Sequence, residues 1–534
     1  MIFGRICRFF GDAAHFVGFW LRVSVVFRTG LWYNRDMKLF YDGHRYQYAA
    51  EQMLATLFPG ERPESVFSDW EKPAGRRAEL RLRRGETWTT AGCVYCDGEQ
   101  EYRGTARVRT DALTDPVRTD SLCQQIVKLA MYRAVLRSGR EKPPWGAVTG
   151  VRPGKLLSPM IKAGLTEQQA VRRMEQDYDV SPERARLCLD TSRATLQAEA
   201  LLQPRDVCLY IGIPFCPTRC AYCSFVSQST EKSMQLIPPF LDALSEELSA
   251  VTEQIRKLNL RVISVYMGGG TPTTLTAAQL DRLFSELKEQ TDLSALREWT
   301  VEAGRPDTVT AEKLQVLRRH GVDRVSVNPQ SMSDAVLEAI GRKHSAADIL
   351  DALRLVRETG GFAVNMDLIA GLPTDTGEGF RRTLDKVLDL KPENITVHTL
   401  SIKRGARLKF GEGSLPTDGE VGRMLDYANR TLPEAGFRPY YLYRQKNMSG
   451  GYENIGWTLP GHENLYNICI MEELCSILAL GAGGSTKLIR RDGGKNVRLV
   501  APKYPAEYIG AIERICSDKE RIGAFYRNLP ETEG

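Results

Sequence analysis

Three cysteines in one short stretch have the types and spacing for metal chemistry. In FCPTRCAYCSF, residues 215–225, three residues separate Cys216 from Cys220, and two separate Cys220 from Cys223. Three thiolates are one short of a closed tetrahedral zinc site, and zinc ribbons usually supply two separate cysteine pairs. Thiolates at close spacing also hold iron–sulfur clusters, and three of them leave one iron open to another ligand. The spacing therefore favours a cluster, with zinc as the alternative.

The elements that must position these cysteines are short apolar runs separated by amphipathic helical stretches. Buried strands that alternate with helices indicate a parallel sheet. Six such units are fewer than the eight of a closed barrel. We therefore predict an α/β fold whose core, residues 205–410, is an open, partial (β/α)6 TIM-like barrel. The apolar runs cover residues 207–213, 262–267, 298–303, 323–328, 362–367 and 394–399.

Polar or glycine residues follow successive strands of this predicted barrel. The cysteine stretch comes directly after the first strand. Those at the later strands are Gly268, Gly269, Gly270 and Thr271 after the second, Glu302 after the third, Gln330 after the fourth and Asp367 at the end of the fifth. Any one of them alone is explained as a cap or a turn residue. Because the chemistry of such barrels lies at the carboxyl ends of the strands, their recurrence predicts one site around one mouth.

The rest of the chain divides around the barrel. Residues 37–157 mix alternating strand patterns with a helical pattern and predict a small α+β domain of unknown role. Residues 158–204 are helical in pattern and predict a connector between domains. Residues 411–534 are mixed in pattern and predict a C-terminal cap that covers the substrate. We interpret residues 1–36 as an N-terminal extension, either untranslated or disordered, with Met37 as the start.

The composition is that of a globular chain without a membrane span. Hydrophobic residues make up 42% and charged residues 26% of its 534 residues, so two to four domains are expected. No uncharged apolar run reaches the ~20 residues that cross a bilayer. Twelve irregularly spaced cysteines suit a reducing compartment, so we predict a cytoplasmic protein. The net charge of +6 forms no basic stripe with interleaved aromatic residues in the barrel, so we expect no nucleic-acid partner.

Other cysteines do not show the pattern of a metal site. Cys93 and Cys96 are two residues apart, but no second pair lies nearby and no βαβ pattern suggests a redox site. We predict a minor structural role for this pair. The cysteines predicted to be ordinary small buried or half-buried residues are Cys208, Cys469, Cys475 and Cys516.

Taken together, the motifs resemble a known family. They are YIGIPFCPTRCAYCSF, GGGTPT, VEAGRPD, VNPQS, IGRKH, DLIAGLP and LGAGGSTK. The Cys-x3-Cys-x2-Cys stretch, with an aromatic residue before its last cysteine, is similar to that of the radical S-adenosylmethionine (SAM) superfamily. Over residues 205–490 the chain resembles the oxygen-independent coproporphyrinogen III oxidase family of that superfamily.

The resemblance implies two cofactors at the predicted mouth. Cys216, Cys220 and Cys223 would bind three irons of a [4Fe–4S] cluster, whose open iron would take the amino and carboxylate groups of SAM. Tyr210, beside the cluster, and Arg342, which can pair with a carboxylate through two hydrogen bonds, are the implied catalytic residues. The residues implied to contact the cluster or SAM are Tyr210, Tyr222, Gly268, Gly269, Gly270, Thr271, Glu302, Gln330, Arg342 and Asp367.

A reaction is implied as well. An electron from the cluster would cleave SAM to a 5′-deoxyadenosyl radical, which would remove hydrogen from a propionate of coproporphyrinogen III. Loss of CO2 and one electron would leave a vinyl group and give protoporphyrinogen IX, an oxygen-independent step of haem biosynthesis. The expected partners are this tetrapyrrole substrate and an electron donor such as flavodoxin or ferredoxin, while no oligomeric state is predicted. The cationic candidates for binding propionates are Arg404, Arg407 and Arg444.

Two departures from the family pattern leave alternatives open. The oxidases of the family carry a further cysteine two residues after the third, where this chain has Phe225. Haem-chaperone members lack that cysteine but carry a His-Asn-x-x-Tyr-Trp signature. Its nearest counterpart here is YENIGW, with Glu453 before Asn454. A haem-binding chaperone and a radical SAM enzyme that acts on another tetrapyrrole are therefore the alternatives to the oxidase.

Overall fold

The described residues form two compact units. The computed structural model describes residues 37–529 apart from 60, 62, 68–74, 151, 224–227, 402–414, 446–448 and 492–493. The two units are Met1–Gly139 and Arg140–Gly534. The extension predicted at residues 1–36 lies outside the described residues. The finer subdivision near residues 157, 204 and 410 stays a prediction.

The first unit is a five-stranded sheet with two helices. The strands are β1 (Lys38–Asp42), β2 (Glu64–Val66), β3 (Arg77–Arg84), β4 (Trp88–Cys96) and β5 (Glu101–Arg109), in the order β2-β1-β3-β4-β5. Helix α1 spans Gln47–Leu57 and helix α2 spans Pro116–Leu136. β5 approaches α2 so closely that a Cβ on Gly104 would lie 2.1 Å from the carbonyl oxygen of Ala130. These elements confirm the predicted α+β fold of this part of the chain.

The cysteine pair of this unit lies in β4. Cys93 and Cys96 are both buried there, but they are three positions apart and therefore lie on opposite faces of the strand. Burial raises the pKa of the Cys93 thiol, because the thiolate would lose its hydration. A buried thiol with a raised pKa is unreactive, which agrees with the structural role predicted for the pair.

The second unit is built on an eleven-stranded sheet and a two-stranded ribbon. In chain order the strands are β6 (Asp206–Ile213), β7 (Phe215–Cys216), β8 (Gln228–Ser229), β9 (Arg261–Gly269), β10 (Glu298–Glu302), β11 (Arg324–Ser326), β12 (Ala363–Ala370), β13 (Asn394–Thr399), β14 (Arg438–Tyr443), β15 (Asn454–Thr458), β16 (Ser476–Gly481), β17 (Ser485–Leu488) and β18 (Val497–Val500). β7 and β8 form the ribbon.

The helices of this unit precede, connect and follow the strands. They are α3 (Gly154–Lys162), α4 (Glu167–Tyr178), α5 (Pro182–Ala200), α6 (Thr230–Ser233), α7 (Ile237–Lys257), α8 (Ala277–Gln290), α9 (Ala311–His320), α10 (Asp334–Ala339), α11 (Ala346–Thr359), α12 (Gly377–Asp389), α13 (Asp418–Glu434), α14 (Leu465–Glu472), α15 (Pro505–Gly510), α16 (Ile512–Asp518) and α17 (Glu520–Arg527). No helix among the described residues is both long and apolar enough to span a membrane.

The strands predicted from the sequence lie side by side. The sheet order is β14-β15-β13-β12-β11-β10-β9-β6-β16-β17-β18. Every neighbouring pair from β16 to β13 is parallel. The six predicted runs are β6 and β9 to β13. They lie side by side in the sheet in the order in which they occur in the chain, and helices connect them. Since β14 and β18 are free edges of the sheet, this is an open, partial (β/α)6 barrel, as predicted.

Sequence patterns account for the helices that cover this sheet. On α7, Leu244, Leu248 and Val251 recur at steps of four and three, and all are buried. Such spacing places them on one face of the helix, where they join the apolar core of the unit. α8 begins at a capping box, in which Thr276 and Gln279 exchange side-chain to backbone hydrogen bonds. Helix starts and buried faces are therefore encoded locally.

The part of the chain after residue 410 contributes five strands to the same sheet, a pairing that the sequence did not predict. β15 pairs antiparallel with β13, and β14 pairs with β15. At the other side β16 pairs in parallel with β6, from Ser476 opposite Val207 to Gly481 opposite Gly212. A parallel pair needs a crossover connection. Here that connection is all of the chain between β6 and β16, which contains the other barrel strands. β16 is thus a seventh parallel strand.

A buried ion pair ties α5 to the residue before β15. Arg184 donates from Nε to Glu453 Oε1 at 3.0 Å, and Trp145 donates from Nε1 to Glu453 Oε2 at 2.7 Å. Glu453 is 0% exposed. The same guanidinium pairs at 2.7 Å with Asp426, whose side chain is 61% exposed. A buried charge that loses its partner is strongly destabilising, so Glu453 holds these segments together.

The substitution Glu453→Ala is expected to lower the free energy of unfolding by about 3–5 kcal/mol, because it leaves the buried Arg184 guanidinium without its main counter-charge. Urea denaturation of the full chain, followed by circular dichroism, measures the change. Asp426→Ala is the matched control, since it removes the exposed partner of the same arginine and should cost only about 0–1 kcal/mol. Equal losses in the two variants would contradict this account.

Candidate active site at the carboxyl ends of the strands

One cavity of about 540 Å³ lies at the carboxyl ends of the parallel strands. Among its lining residues are Tyr210 from β6, Glu302 from β10, and Asp367 from β12. Every residue predicted to contact the cluster or SAM lines this cavity except Gly268. The structure therefore brings together groups that are up to about 160 positions apart in the chain, as expected for parallel strands whose ends meet at one edge. Their individual roles stay predictions.

The cysteine loop runs from β7 and is held to its surroundings by backbone hydrogen bonds. The Ala221 N–H donates to the Ile340 carbonyl oxygen at 2.9 Å, and the Cys223 N–H donates to the Cys220 carbonyl oxygen at 3.2 Å. Cys220 is buried, whereas Cys216 and Cys223 are half-buried, and all three thiols are free of disulfides. The loop therefore presents three reduced cysteines to one cavity.

Arg305 lies directly against the cysteine loop. Its Nη1 is 3.8 Å from Cys220 Sγ and donates to the Thr218 hydroxyl oxygen at 3.0 Å. Its Nε donates to Asp307 at 3.1 Å. Arg305 is only 3% exposed. A cation buried at this place would offset the negative charge that thiolate ligands bring to a metal site.

Arg342 is a second buried cation at the same place. It donates from Nη1 to the Asn328 carbonyl oxygen at 2.7 Å and from Nη2 to the Tyr222 hydroxyl at 3.3 Å. It also interacts electrostatically with Cys220. Its Nε is buried and has no hydrogen-bond partner among the described residues. Such a donor is costly to leave unsatisfied, so this arginine fits a site that takes a further anionic or polar ligand.

His344 stays neutral between these arginines. Burial, together with the positive charges of Arg342 and Arg305, lowers its pKa to about 4. Its Nε2 lies 3.3 Å from Arg342 Nη1, and its Nδ1 lies 3.8 Å from Asp307. Near neutral pH the His344 imidazole therefore adds no charge to those of Arg305 and Arg342.

Close packing accounts for the three glycines, Gly268, Gly269 and Gly270. A Cβ on Gly270 would lie 2.5 Å from the Phe215 carbonyl oxygen, and one on Gly268 would lie 2.9 Å from Glu302 Cδ. Gly269 has a φ of +109°, a conformation that L side chains rarely adopt. Gly269 and Gly270 line the cavity with their backbone. The tight turn that the triplet makes also opens space for a ligand.

Glu302 sits against a stack of three tyrosines. The Tyr266 hydroxyl donates to Glu302 Oε1 at 2.7 Å. The Tyr266 ring stacks on Tyr466 with centroids 4.4 Å apart, and Tyr210 stacks at 6.3 Å from Tyr266. Burial, with a further contribution from the Asp367 carboxylate, raises the pKa of Glu302 to about 7. This carboxyl group can therefore take up or release a proton near neutral pH.

Asp367, in contrast to Glu302, has a lowered pKa and is ionised near neutral pH. Burial alone would raise its pKa, but His398 and the Asn365 amide, which donates at 2.8 Å, together lower the pKa of Asp367. His398 Nε2 lies 3.7 Å from Asp367 Oδ2. Gln330 beside it has a φ of +68° and exchanges backbone hydrogen bonds with β12. A non-glycine residue in this region is strained, as is common at binding sites.

The sequence reasoning missed several lining residues. Arg305 stands in the VEAGRPD motif, three positions after Glu302, so the strand-end argument could have included it. Tyr266 lies in β9, two positions before Gly268. Tyr466 comes from α14 and His398 from β13, and both line the same cavity. No local signal identifies Tyr466, because only the long-range pairing of β16 with β6 brings α14 to the cavity.

One predicted substrate contact is corrected by the structure. Arg444 is buried, donates from Nε to the Gly451 carbonyl oxygen at 2.9 Å, and donates from Nη1 to the Val148 carbonyl oxygen. It does not line the cavity. Its guanidinium satisfies backbone carbonyls instead of facing a substrate. The other two candidates for binding propionates, Arg404 and Arg407, lie outside the described residues, and so does Phe225.

Comparison with known proteins gives the family. Residues 210–387 match the family model described as the radical SAM superfamily. The chain is also 40% identical over 380 residues to the oxygen-independent coproporphyrinogen-III oxidase-like protein HemZ of Bacillus subtilis, covering 70% of this chain and 76% of HemZ. The chain belongs to the radical SAM superfamily. Within it, the chain is a member of the coproporphyrinogen-III oxidase-like family of HemZ.

Other radical SAM relatives carry different functional names. The haem chaperone HemW of Lactococcus lactis is 31% identical, over 52% of this chain and 68% of that protein. The oxygen-independent coproporphyrinogen III oxidase of Escherichia coli is 31% identical, over 46% of this chain and 54% of that protein. A solved structure of coproporphyrinogen III oxidase (HemN) from Escherichia coli has 25% identity, covers 60% of this chain and 72% of that one, and gives a TM-score of 0.48.

The residues at the cavity fit the cofactors of the radical SAM superfamily. Its members use a [4Fe–4S] cluster and SAM. Three reduced cysteines at one cavity provide thiolate ligands, and two buried guanidiniums offset the negative charge that a thiolate-bound cluster brings. The unpartnered Nε of Arg342 and the carboxyl groups of Glu302 and Asp367 suit the charged and hydroxyl groups of SAM.

The substitution Glu302→Gln is expected to flatten the pH dependence of stability. The pKa of Glu302 is raised from 4.5 to about 7 in the folded chain, so the folded state holds this proton more tightly than the unfolded state. Stability from this group is therefore present below about pH 4.5 and is lost as the pH rises through 7. Between pH 5 and 8 the loss is on the order of 2–3 kcal/mol, and the glutamine variant should lack it.

Urea denaturation of the cofactor-free chain at both pH values measures that difference. Glu358→Gln, a change on the exposed surface of α11, is the matched control and should keep the pH dependence of the unsubstituted chain. If Glu302→Gln and Glu358→Gln showed the same dependence, the raised pKa of Glu302 would be wrong.

The substitution Cys220→Ala is expected to abolish iron binding at the cavity, because two thiolates cannot hold the cluster. Anaerobic reconstitution with iron and sulfide, followed by iron analysis and visible absorption, measures the loss. Cys516→Ala is the matched control, since this half-buried cysteine lies in α16 and does not line the cavity. A brown chromophore with full iron content in Cys220→Ala would contradict the assignment of this thiol.

Proposed function

We propose that the chain catalyses the oxidative decarboxylation of coproporphyrinogen III propionates to vinyl groups, giving protoporphyrinogen IX without oxygen. The observation that carries this proposal is the single cavity that combines the three cysteines with the polar groups at successive strand ends. The relation to HemZ and to the coproporphyrinogen III oxidase of Escherichia coli supports the choice of substrate. The reaction would be an oxidoreductase step of porphyrin and haem biosynthesis.

In this proposal Cys216, Cys220 and Cys223 ligate the cluster, and SAM occupies the rest of the inner cavity. When bound, the cluster and SAM supply a 5′-deoxyadenosyl radical that can remove hydrogen from a propionate side chain. Arg305 places a cation 3.8 Å from the Cys220 sulfur, which would offset the negative charge of a thiolate bound to the cluster. Arg342 binds a carboxylate through its free Nε.

The acidic side of the cavity would orient the rest of SAM. Asp367, held ionised by His398 and Asn365, accepts hydrogen bonds from hydroxyl or ammonium groups. Glu302 accepts in its ionised form, and the Tyr266 hydroxyl keeps its orientation fixed. Tyr210 and Tyr222 shield the site, since aromatic walls exclude water from a reactive intermediate. We propose that the strained backbone of Gln330 presents its amide to the same ligand.

The wider part of the lining would take the macrocycle. Tyr441, Tyr443, Ile470 and Met471 line the same cavity and offer apolar and aromatic surface. A large, mostly hydrocarbon tetrapyrrole is stabilised by contact with such surface. The proposed partners are therefore this tetrapyrrole and an electron donor such as flavodoxin or ferredoxin.

A haem-chaperone role is the second candidate, because HemW proteins are also relatives. The position that precedes Asn454 argues against it. Where the chaperone signature has a histidine, this chain has Glu453, which is fully buried and bonded to Trp145 and Arg184. A carboxylate engaged in this way has no access to a haem iron. We therefore favour the oxidase.

Anaerobic reconstitution of the full chain, followed by addition of coproporphyrinogen III, SAM and a chemical reductant, tests the proposal. The expected result is formation of both 5′-deoxyadenosine and decarboxylated porphyrinogen, measured by liquid chromatography and mass spectrometry. Cys220→Ala should form neither product, whereas Cys516→Ala should form both. Stoichiometric haem binding without any 5′-deoxyadenosine would overturn the proposal in favour of the chaperone.

A further inference from the structure

Three cysteines outside the candidate active site converge on one point. The sulfur atoms of Cys208, Cys469 and Cys475 all lie within 4.8 Å of one another. The sulfurs of Cys208 and Cys475 are 3.6 Å apart. All three residues are at most 3% exposed. The sequence predicted each of them to be an ordinary small buried residue, but the fold brings them together from three different segments.

The elements that carry these thiols hold them rigidly. Cys208 lies within β6, opposite Ile477 of β16, and Cys475 directly precedes β16. Cys469 is in the last turn of α14, and its carbonyl oxygen accepts from the N–H groups of Glu473 and Leu474. This capped turn fixes the spacing between Cys469 and Cys475. No rearrangement of the backbone is needed to bring the sulfurs together.

The turn itself is anchored by a cluster of charges. Glu473 pairs with Arg152 at 2.7 Å and also with Lys155 and Lys487. These cations lower the pKa of the Glu473 carboxyl group despite its partial burial. With its ion pairs in place, the residue stays in the left-handed conformation that ends α14.

These thiols are distinct from those of the cysteine loop. Cys208 lies near the amino end of β6, whereas Cys216 follows its carboxyl end. Eight residues of extended chain separate the two positions by up to roughly 25 Å. None of the three converging cysteines lines the cavity of the candidate active site. One metal centre therefore cannot use both sets.

Charges of both signs lie near the three thiols. Asp206, two residues before Cys208 on β6, is 2% exposed, and its carboxylate pairs with Arg261 at 3.5 Å and with Arg297 at 3.8 Å. Arg491 donates from Nη2 to the Leu474 carbonyl oxygen at 3.2 Å and interacts with the Cys475 thiol.

We propose that Cys208, Cys469 and Cys475 bind a single thiophilic d10 metal ion, Cu(I) or Zn(II), in three-coordinate thiolate geometry. Metal–sulfur bonds of about 2.3 Å place three trigonal sulfurs about 4 Å apart, which agrees with the observed spacing. Among the described residues, no further Cys, His, Asp or Glu joins the group. Soft thiolates select Cu(I) and Zn(II) among cellular metals, and binding would release the thiol protons to solvent.

The test uses the full chain with Cys216, Cys220 and Cys223 all replaced by alanine, so that the cysteine loop takes no metal. One equivalent of Cu(I) or Zn(II) is added without oxygen, in competition with a chromophoric chelator. We expect one ion to bind per chain. In the same background, Cys475→Ser should weaken binding by more than about 100-fold, and Cys516→Ser, the matched control, should leave it unchanged.

X-ray absorption of the bound ion gives a second readout that does not depend on Cys475→Ser folding. Three sulfur neighbours at about 2.2–2.3 Å are expected. Equal binding by the Cys475→Ser variant and its parent would overturn the proposal. So would nitrogen or oxygen ligands in the absorption spectrum, or a disulfide between Cys208 and Cys475 in metal-free protein purified without oxygen. Because none of these readouts depends on catalytic turnover, a failure here leaves the proposed oxidase activity untouched.

Discussion

The hydrogen-bond ladder between β6 and β9 continues past the ends of both strands, and the candidate active site depends on this continuation. The Gly270 N–H donates to the Ile213 carbonyl oxygen at 2.7 Å, and the Thr271 N–H donates to the Phe215 carbonyl oxygen at 2.8 Å. Glycine at position 270 is required, because a Cβ there would collide with the Phe215 carbonyl. The ladder places Cys216 Sγ 3.4 Å from the Thr271 hydroxyl, so it sets where the cysteine loop begins.

Opposite charges lie in different parts of the cavity. Two buried guanidiniums, Arg305 and Arg342, accompany Cys220. Glu302 at the end of β10 and Asp367 in β12, two strands away, line the same cavity. Each buried charge has a fixed partner or a reason for its protonation state, since an isolated one would be too costly. The same rule explains Glu453 and Glu473, which stabilise segments far from the cavity.

Much of the fold and site could be predicted from local patterns. The six apolar runs identified β6 and β9 to β13, and the cysteine spacing identified a loop whose three cysteines line the cavity. Arg305 could have been found from its place after β10, but Tyr466 could not. The meeting of Cys208, Cys469 and Cys475 was also out of reach. Pairing between segments far apart in sequence depends on the packing of the whole sheet, and no local spacing encodes it.

The sequence by itself determined the parallel strands, the order of the strand-end groups and the family motifs, because periodicity, turn chemistry and ligand spacing are properties of short segments. Only the tertiary structure decided that β16 joins β6 as a seventh parallel strand, that Arg305 reaches Cys220, and that Arg444 is occupied by backbone carbonyls. Those contacts join segments that come together only through loop closure and side-chain packing. Their energies therefore contribute only in the folded chain.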